Sequence, residues 1–483
     1  EDQTSDLERI IAMSDGANNT ASVSLIRSLP EAIRAGNFGV TLVSADRTLI
    51  SVEPGDTTRD IYGVAVDIGT TTVAAYLYDM NSGRRLDVCS RLNPQRKYGA
   101  DVLSRIDHTM KSPEGLGEMC GMIVGSINEM IEYFASNNNI LKSHIYSCIF
   151  VGNTTMMHFL MKVPAANIAV SPFIPATACL HTFSAGDLGI DINPCGYAVI
   201  YPCVSGYVGA DTVAAVLSSG MYDEEETCLL IDIGTNGEIV LGNREWLFAC
   251  STAAGPAFEG ANIRNGVGGI KGAIDSIRMV RGLEFTTIGE AMPVGICGSG
   301  IIDAVAEMLL TGVIDETGRI VDADELENPQ QDLAARFVDI EGLRSFMLVP
   351  ASDCSAGTDI AITQKDVREL QNAKAAIAAG ITTLVKQAGI RMEDIRRVYL
   401  AGGFGSHIDI ENALKIGLLP SALKGRIESI GNAAGAGASE GLISLEMLRQ
   451  TEKIKERIKY IELSTLPEFV GEYVENMMFE AGG

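Results

Sequence analysis

The sequence predicts an α/β protein made of two duplicated halves, with a small α/β domain in front of them. Three observations carry this. The tetrapeptide Asp67-Ile68-Gly69-Thr70 returns unchanged as Asp232-Ile233-Gly234-Thr235. Each copy ends one apolar run and is followed by another, Val73 to Tyr78 after the first and Glu238 to Leu241 after the second, so each reads as strand, polar turn, strand. A third run, Arg397 to Ala401, also stops at a glycine turn, Gly402-Gly403-Phe404-Gly405. A strand–turn–strand unit repeated at long period is the mark of duplication.

The elements follow in order. Residues 1–60 read as a small α/β unit, with helical Leu7 to Ala12 and a second amphipathic stretch, Ser24 to Ala35, interrupted by Pro30. Two short strands, Val40 to Val43 and Thr48 to Val52, are joined by a turn at 44–47. Gly63 to Ile68 is a buried strand, and Asn81-Ser82-Gly83 is a hairpin turn. Gly99 to Met110 and Gly115 to Asn137 have helical spacing, Tyr146 to Val151 is a strand running into Gly152-Asn153-Thr154-Thr155, and a helix starts near Met156. Cys228 to Ile233 opens the second half. Gly298-Ser299-Gly300 precedes a helix from Ile301 to Leu310, whose first N–H groups suit an anion. Thr363 to Ala388 is a long helix with Thr363 and Asp366 as a capping box. Glycine-rich 431–438 precedes a last helix, Ser439 to Leu448. The expected domains are 1–60, 61–225, 226–452, and a C-terminal extension, 453–483, packing on the core.

Composition narrows the function. The 483 residues are 46% hydrophobic and 20% charged, which is globular. The net charge of −25 argues against nucleic acid, which needs clustered Lys and Arg, and against an anionic membrane surface. No apolar run reaches membrane-spanning length and no signal peptide is visible. The chain opens at Glu1 partway into a helical pattern, as a piece of a longer protein would. Ten cysteines are scattered without a CxxC pair, so they read as small buried hydrophobes in a reducing, cytoplasmic setting rather than as a zinc or iron–sulfur site.

The turns suggest their chemistry. Gly69 and Gly234 let backbone N–H groups approach phosphate oxygens, and Thr70, Thr71, Thr72, Thr235 and Asn236, with the bare backbone at Gly237, add donors. Asp67 and Asp232 would repel phosphate unless Mg²⁺ or its bound water lies between, so both are candidate metal ligands. Two such turns would clamp the triphosphate of ATP and neutralise its charge, which is what phosphoryl transfer needs. Gly298 and Ser299 offer a helix N-terminus to the same phosphates, and Gly402, Gly403 and Phe404 offer a flat surface to adenosine. Asp232 and Glu259 are the catalytic candidates, Glu259 for orienting water; as a helix N-terminal carboxylate it would equally serve the dipole. Asp191 and Asp211 read as helix caps rather than bases. The five histidines are dispersed, and His158 reads as a packed helix residue. There is no Walker loop.

These residues stand in a recognisable order. Val64-Ala-Val-Asp-Ile-Gly-Thr-Thr-Thr72 resembles the first phosphate motif of the actin-like ATPase superfamily, Phe150 to Thr155 its first connecting motif, and Leu230 to Glu238 its second phosphate motif. Leu400-Ala-Gly-Gly-Phe404 resembles the adenosine motif, and 431–438 the second connecting motif. Asn93-Pro-Gln95 with Tyr98-Gly-Ala-Asp-Val102, Val151 to Met156, Gly206-Tyr-Val-Gly-Ala-Asp211, Gly255 to Gly260 and Thr363 to Leu370 resemble, more narrowly, the reductive activators of corrinoid proteins. The resemblance covers about 20–483. It implies two actin-like (ribonuclease H-like) halves around a nucleotide cleft, and ATP hydrolysis coupled to one-electron reduction of a Co(II) corrinoid (cobalamin-binding) protein to Co(I) in a methyl-transfer system. The implied cofactors are ATP and Mg²⁺. Such activators carry an iron–sulfur domain, and the absence of a cysteine cluster here implies that the cluster belongs to a domain or a low-potential electron donor outside this chain. A homodimer is compatible with the resemblance. The alternatives in the same superfamily are a small-molecule kinase and an activator of acyl-CoA dehydratases; a filament or partner-binding protein with structural nucleotide is a third.

Overall fold

The computed structural model describes residues 3–13, 21–45, 48–326, 331–355, 357–403 and 408–479. Part of the turn expected at 44–47, and Phe404, Gly405 and His407, lie outside the described residues. The chain forms two compact units, 1–214 with 435–452 and 215–434 with 453–483.

The first unit begins with helices α1 (Asp6–Met13) and α2 (Val23–Ala35) on a hairpin of β1 (Val40–Ala45) and β2 (Thr48–Pro54). Leu25, Leu29 and Ile33 on α2 close a small core of their own with Ile10, Leu49 and Val52. Pro30 does not interrupt α2, contrary to expectation. Proline removes one backbone hydrogen bond, but the buried residues on both sides of it hold the helix against the hairpin.

A six-stranded sheet follows, in the order β5-β4-β3-β6-β8-β7. Its members are β3 (Tyr62–Ile68), β4 (Thr72–Asp79), β5 (Arg84–Leu92), β6 (Ile145–Gly152), β7 (His181–Ser184) and β8 (Tyr197–Ile200). Helices α3 (Val102–Lys111) and α4 (Gly115–Asn138) make the crossover to parallel β6, and α5 (Thr154–Leu160) and α6 (Ala210–Ser219) follow. Val64, Ala65, Val66 and Ile68 on β3 are all buried, the near-continuous apolar run expected of a strand covered on both faces.

The second unit repeats this plan. Its sheet runs β19-β18-β9-β10-β11-β20, from β9 (Cys228–Ile233), β10 (Gly237–Gly242), β11 (Leu247–Thr252), β18 (Arg397–Ala401), β19 (Ile427–Gly431) and β20 (Ile458–Tyr460). In both sheets an antiparallel meander of three strands is flanked, beside its first strand, by two parallel strands: β6 and β8 in one, β18 and β19 in the other. Two three-stranded sheets are inserted: β12 (Ala273–Arg278), β13 (Glu284–Thr287) and β14 (Gly295–Ile296), then β15 (Phe337–Ile340), β16 (Leu343–Val349) and β17 (Ile360–Thr363). Its helices are α7 (Gly298–Leu310), α8 (Gln331–Ala334), α9 (Gln364–Ala388), α10 (Ile410–Lys415) and α13 (Pro467–Glu475), while nearly all of α11 (Ala433–Ile443) and most of α12 (Leu445–Arg457) belong to the first unit. Val367, Leu370, Ile377, Ile381 and Leu384 form the core face of α9, and its capping box at Thr363 and Asp366 is present as expected.

Two expectations need correction. Gly298-Ser299-Gly300 is the first turn of α7, not a loop before it. The glycine-rich segment after Gly431 is itself helical from Ala433, because its glycines serve packing: a Cβ at Gly437 would stand 2.0 Å from the Ala214 carbonyl oxygen, and Gly437 O accepts from the Tyr201 hydroxyl at 2.9 Å. In the C-terminal segment, residues 458–460 form the edge strand β20, parallel to β11.

Candidate nucleotide-binding turns

Each Asp-Ile-Gly-Thr turn is set in the same way. Asp67 and Asp232 are each the penultimate residue of a central strand. Each stands beside a parallel strand in register, Asp67 opposite Val151 and Asp232 opposite Ala401. The next residue on that neighbour is Gly152 in one unit and Gly402 in the other. A Cβ at Gly152 would meet the Ile68 carbonyl oxygen at 2.6 Å, and one at Gly402 the Ile233 carbonyl oxygen at 2.7 Å and Asp232 Oδ1 at 2.7 Å. With φ of +153° and +98° both positions favour glycine. Gly152-Asn153 and Gly402-Gly403 are therefore counterparts, a relation their sequences hide.

In the first unit the carbonyls of the turn are held one by one. Gly69 O accepts from Asn93 Nδ2 at 2.9 Å, Thr70 O from Arg105 Nη2 at 2.5 Å, and Thr71 O from Asn93 N at 2.8 Å. Since a trans peptide points N–H opposite to C=O, the N–H groups of Thr70, Thr71 and Thr72 face away from Asn93 and Arg105. Successive N–H groups on one side form an anion-binding nest. Arg105 is fully buried and also donates from Nε to Gly99 O at 3.0 Å. Thr70 Oγ1 accepts from Asn153 Nδ2 at 3.1 Å, and Asn153 Oδ1 caps α5 by accepting from Met156 N at 3.0 Å.

Sequence reasoning passed over Arg105, and the signal was present: an arginine between Val102 and Ile106 on the buried side of a helix. It also set Asp211 aside as a cap. Asp211 Oδ1 does accept from Thr212 N at 2.7 Å. A side chain at 209 would nonetheless meet both Asn153 Cα at 2.5 Å and Asp211 Oδ1 at 2.7 Å, which puts this carboxylate beside the Asn153 turn. Burial pushes the Asp211 carboxyl up to about 6. A raised carboxyl favours the fold while protonated, so the contribution is full below about pH 4 and lost as pH rises through about 6. Asp211→Asn stays neutral and escapes that loss. Its stability relative to the parent should grow between pH 4 and 7 by up to about 3 kcal/mol, read from hydrogen exchange in the first unit, and a constant difference across that range would refute the shift. Asp191 is exposed and ion-paired to Lys142, and His158 is buried with Nδ1 2.7 Å from Thr154 O; both have structural roles.

In the second unit Thr235 Oγ1 donates to Glu259 Oε1 at 3.0 Å, which brings Glu259 onto the turn. Glu259 ends a 3₁₀ turn, Pro256–Glu259, that packs on α7. Glu238 lies directly across from Asp232 on β10, a second carboxylate not singled out from sequence; like charges so placed repel. At the start of α7 no side chain caps the first turn. Ser299 is buried and its hydroxyl donates to Asp275 O at 2.9 Å, which leaves the backbone N–H groups as what this helix end offers. Gly403 is exposed.

Comparison with known proteins finds relatives along nearly the whole chain. Residues 1–59 match the RACo linker region, 62–224 the RACo middle region, and 226–482 the C-terminal domain of RACo, the ASKHA domain. The corrinoid activation enzyme RamQ of Eubacterium limosum is 39% identical over 91% of this chain and 74% of its own length. The [Co(II) methylated amine-specific corrinoid protein] reductase of Methanosarcina barkeri is 24% identical over 82% of this chain and 73% of its own. The solved structure of a reductive activator for corrinoid, iron–sulfur protein superposes with a TM-score of 0.88 at 33% identity, over 99% of this chain and 76% of that one. The chain belongs to the RACo family of corrinoid reductive activators.

Proposed function

We propose that this protein hydrolyses ATP to drive reduction of a corrinoid protein from Co(II) to Co(I). The observation that carries the reading is the pair of equivalent Asp-Ile-Gly-Thr turns, each beside a glycine that lets a neighbouring strand end come within contact of it. Thr70, Thr71 and Thr72 with Gly69, and Thr235 and Asn236 with Gly234 and Gly237, bind phosphate; Gly298 and Ser299 add backbone N–H groups; Gly402, Gly403 and Phe404 contact adenosine. Asp67 and Asp232 hold Mg²⁺, directly or through water, and the cross-strand Asp232–Glu238 pair supports this, because a bound cation relieves the repulsion between them. Mg²⁺ supplies neutralisation of phosphate charge. Glu259 orients the attacking water through its contact with Thr235. The electron comes from a low-potential iron–sulfur donor in another domain or protein; six of the ten cysteines here are buried. No helix among the described residues is long and apolar enough to cross a membrane.

The test is the ATP hydrolysis rate with and without a corrinoid protein poised in each state. Turnover should rise with the Co(II) form and not with the Co(I) or methylated form. Turnover raised by a sugar or carboxylate, and by no corrinoid protein, would replace this reading with a kinase.

A further inference from the structure

We propose that the free edge of the first sheet, β5 with the turn Pro94–Tyr98, docks an acidic, extended segment of a protein partner as an added strand. Among the described residues β5 pairs only with β4, so its outer backbone groups, apart from the Val88 N–H that donates to Asp87 Oδ1 at 2.8 Å, form a template for another strand. The edge is also the wrong charge for this chain. Residues 84–97 hold Arg84, Arg85, Arg91, Arg96 and Lys97 against a single acid, Asp87, in a protein whose net charge is −25. Asp87 is already engaged by Asn137 and Asn138 Nδ2 at 2.7 and 2.8 Å, and Arg91 is ion-paired to Glu129. Arg84, Arg85, Arg96 and Lys97 are exposed.

Basic residues on an edge also deter self-association, but deterrence needs no apolar surface alongside, and this edge has one. Val88 and Leu92 are 41% and 65% exposed. Next to Leu92 a groove of about 380 Å³ runs between Pro94 and α4. Met122, the Arg91–Glu129 pair, and Gly121 and Gly125, where a Cβ would meet nothing within 4 Å, line it with Leu92 and Pro94. An extended acidic segment would pair its backbone with β5, lay its carboxylates along the arginines and set one apolar side chain in the groove. The same charges disfavour a second copy of this chain, because self-pairing lays arginine against arginine.

The surface ends one residue from the turn described above: Asn93, directly after Leu92, holds the Gly69 and Thr71 carbonyls. An occupant that steadies Asn93 therefore alters ATP affinity, and ATP alters its affinity by the same factor. That consequence rests on the nucleotide reading; the docking itself does not.

A fluorescent nine-residue peptide of alternating Glu and Val, the length of β5, tests the docking without nucleotide by anisotropy against the full chain at low salt. It should bind, weaken with salt, and protect 84–92 from hydrogen exchange. R85E/R96E/K97E should weaken it about tenfold, and R96Q/K97Q by less, with circular dichroism unchanged in both. Equal binding of a Lys–Val peptide, an unaffected triple variant, or protection elsewhere would overturn the proposal. So would a parent dimer in sedimentation that the triple variant dissolves, since a second copy would then hold the edge. If the peptide binds but leaves ATP affinity untouched, docking stands and the nucleotide coupling falls.

Discussion

Asp232→Ala is expected to abolish ATP turnover while the unfolding transition stays close to that of the parent. The aspartate sits at the end of β9, half-buried, and contributes no apolar packing to the sheet. Alanine fits there without a clash, and removing one of two facing carboxylates, Asp232 and Glu238, relieves repulsion of about 0.2–1 kcal/mol. Any stabilising contact of the lost carboxylate opposes that gain, so the net shift is small. Turnover has no such compensation. A preorganised charge at the reacting centre is worth roughly 10²–10³ in rate, and a carboxylate that anchors Mg²⁺ also sets where the phosphates lie. The loss should therefore fall on kcat and kcat/KM together, the pattern of an interaction made chiefly in the transition state. Undiminished turnover in a folded variant would remove Asp232 from the mechanism. Asp67→Ala is the comparison, since the two residues hold equivalent places in the two units.

That equivalence was readable in the sequence because four identical residues close two apolar strands. Under the proposed function, identity of that kind marks where the chain meets a ligand whose chemistry does not vary. The partner strand ends show the limit. Gly152-Asn153 and Gly402-Gly403 do the same geometric task, but only the glycine is demanded by the close approach, and the following residue is free to differ; no repeat is visible. The glycines of 431–438 misled for a related reason. Glycine breaks an isolated helix by its entropy cost, yet in α11 it is what lets the helix come within contact of Tyr201 and Ala214, so packing outweighs propensity. Pro30 is the same lesson in α2: the small core of Leu25, Leu29 and Ile33 decides, and the missing hydrogen bond is tolerated. Asp211 and Arg105 escaped because their roles depend on what faces them across the fold, and spacing along one chain carries no record of that.

Arg105→Ala should show how much of the first turn depends on a residue that touches no ligand. Its guanidinium is fully buried and serves two carbonyls at once, Thr70 O and Gly99 O. Truncation orphans both, at about 1–3 kcal/mol each, and leaves a cavity of nearly a whole side chain, so local stability should fall by about 3–5 kcal/mol. A protein of two units does not unfold in one step, so the measurement is hydrogen exchange at residues 69–72 and 93–105, which should quicken while that of the second unit is unchanged. Arg105→Lys separates charge from geometry. An ammonium restores the charge but not the fork that reaches both carbonyls, so it should recover part of the protection and little of the ATP affinity. The reason lies in the peptide plane: if the Thr70 carbonyl is not held, the Thr71 N–H is no longer aimed, and the nest loses a donor. ATP affinity that survives Arg105→Ala, with exchange at 69–72 unaltered, would mean that Asn93 alone sets the turn.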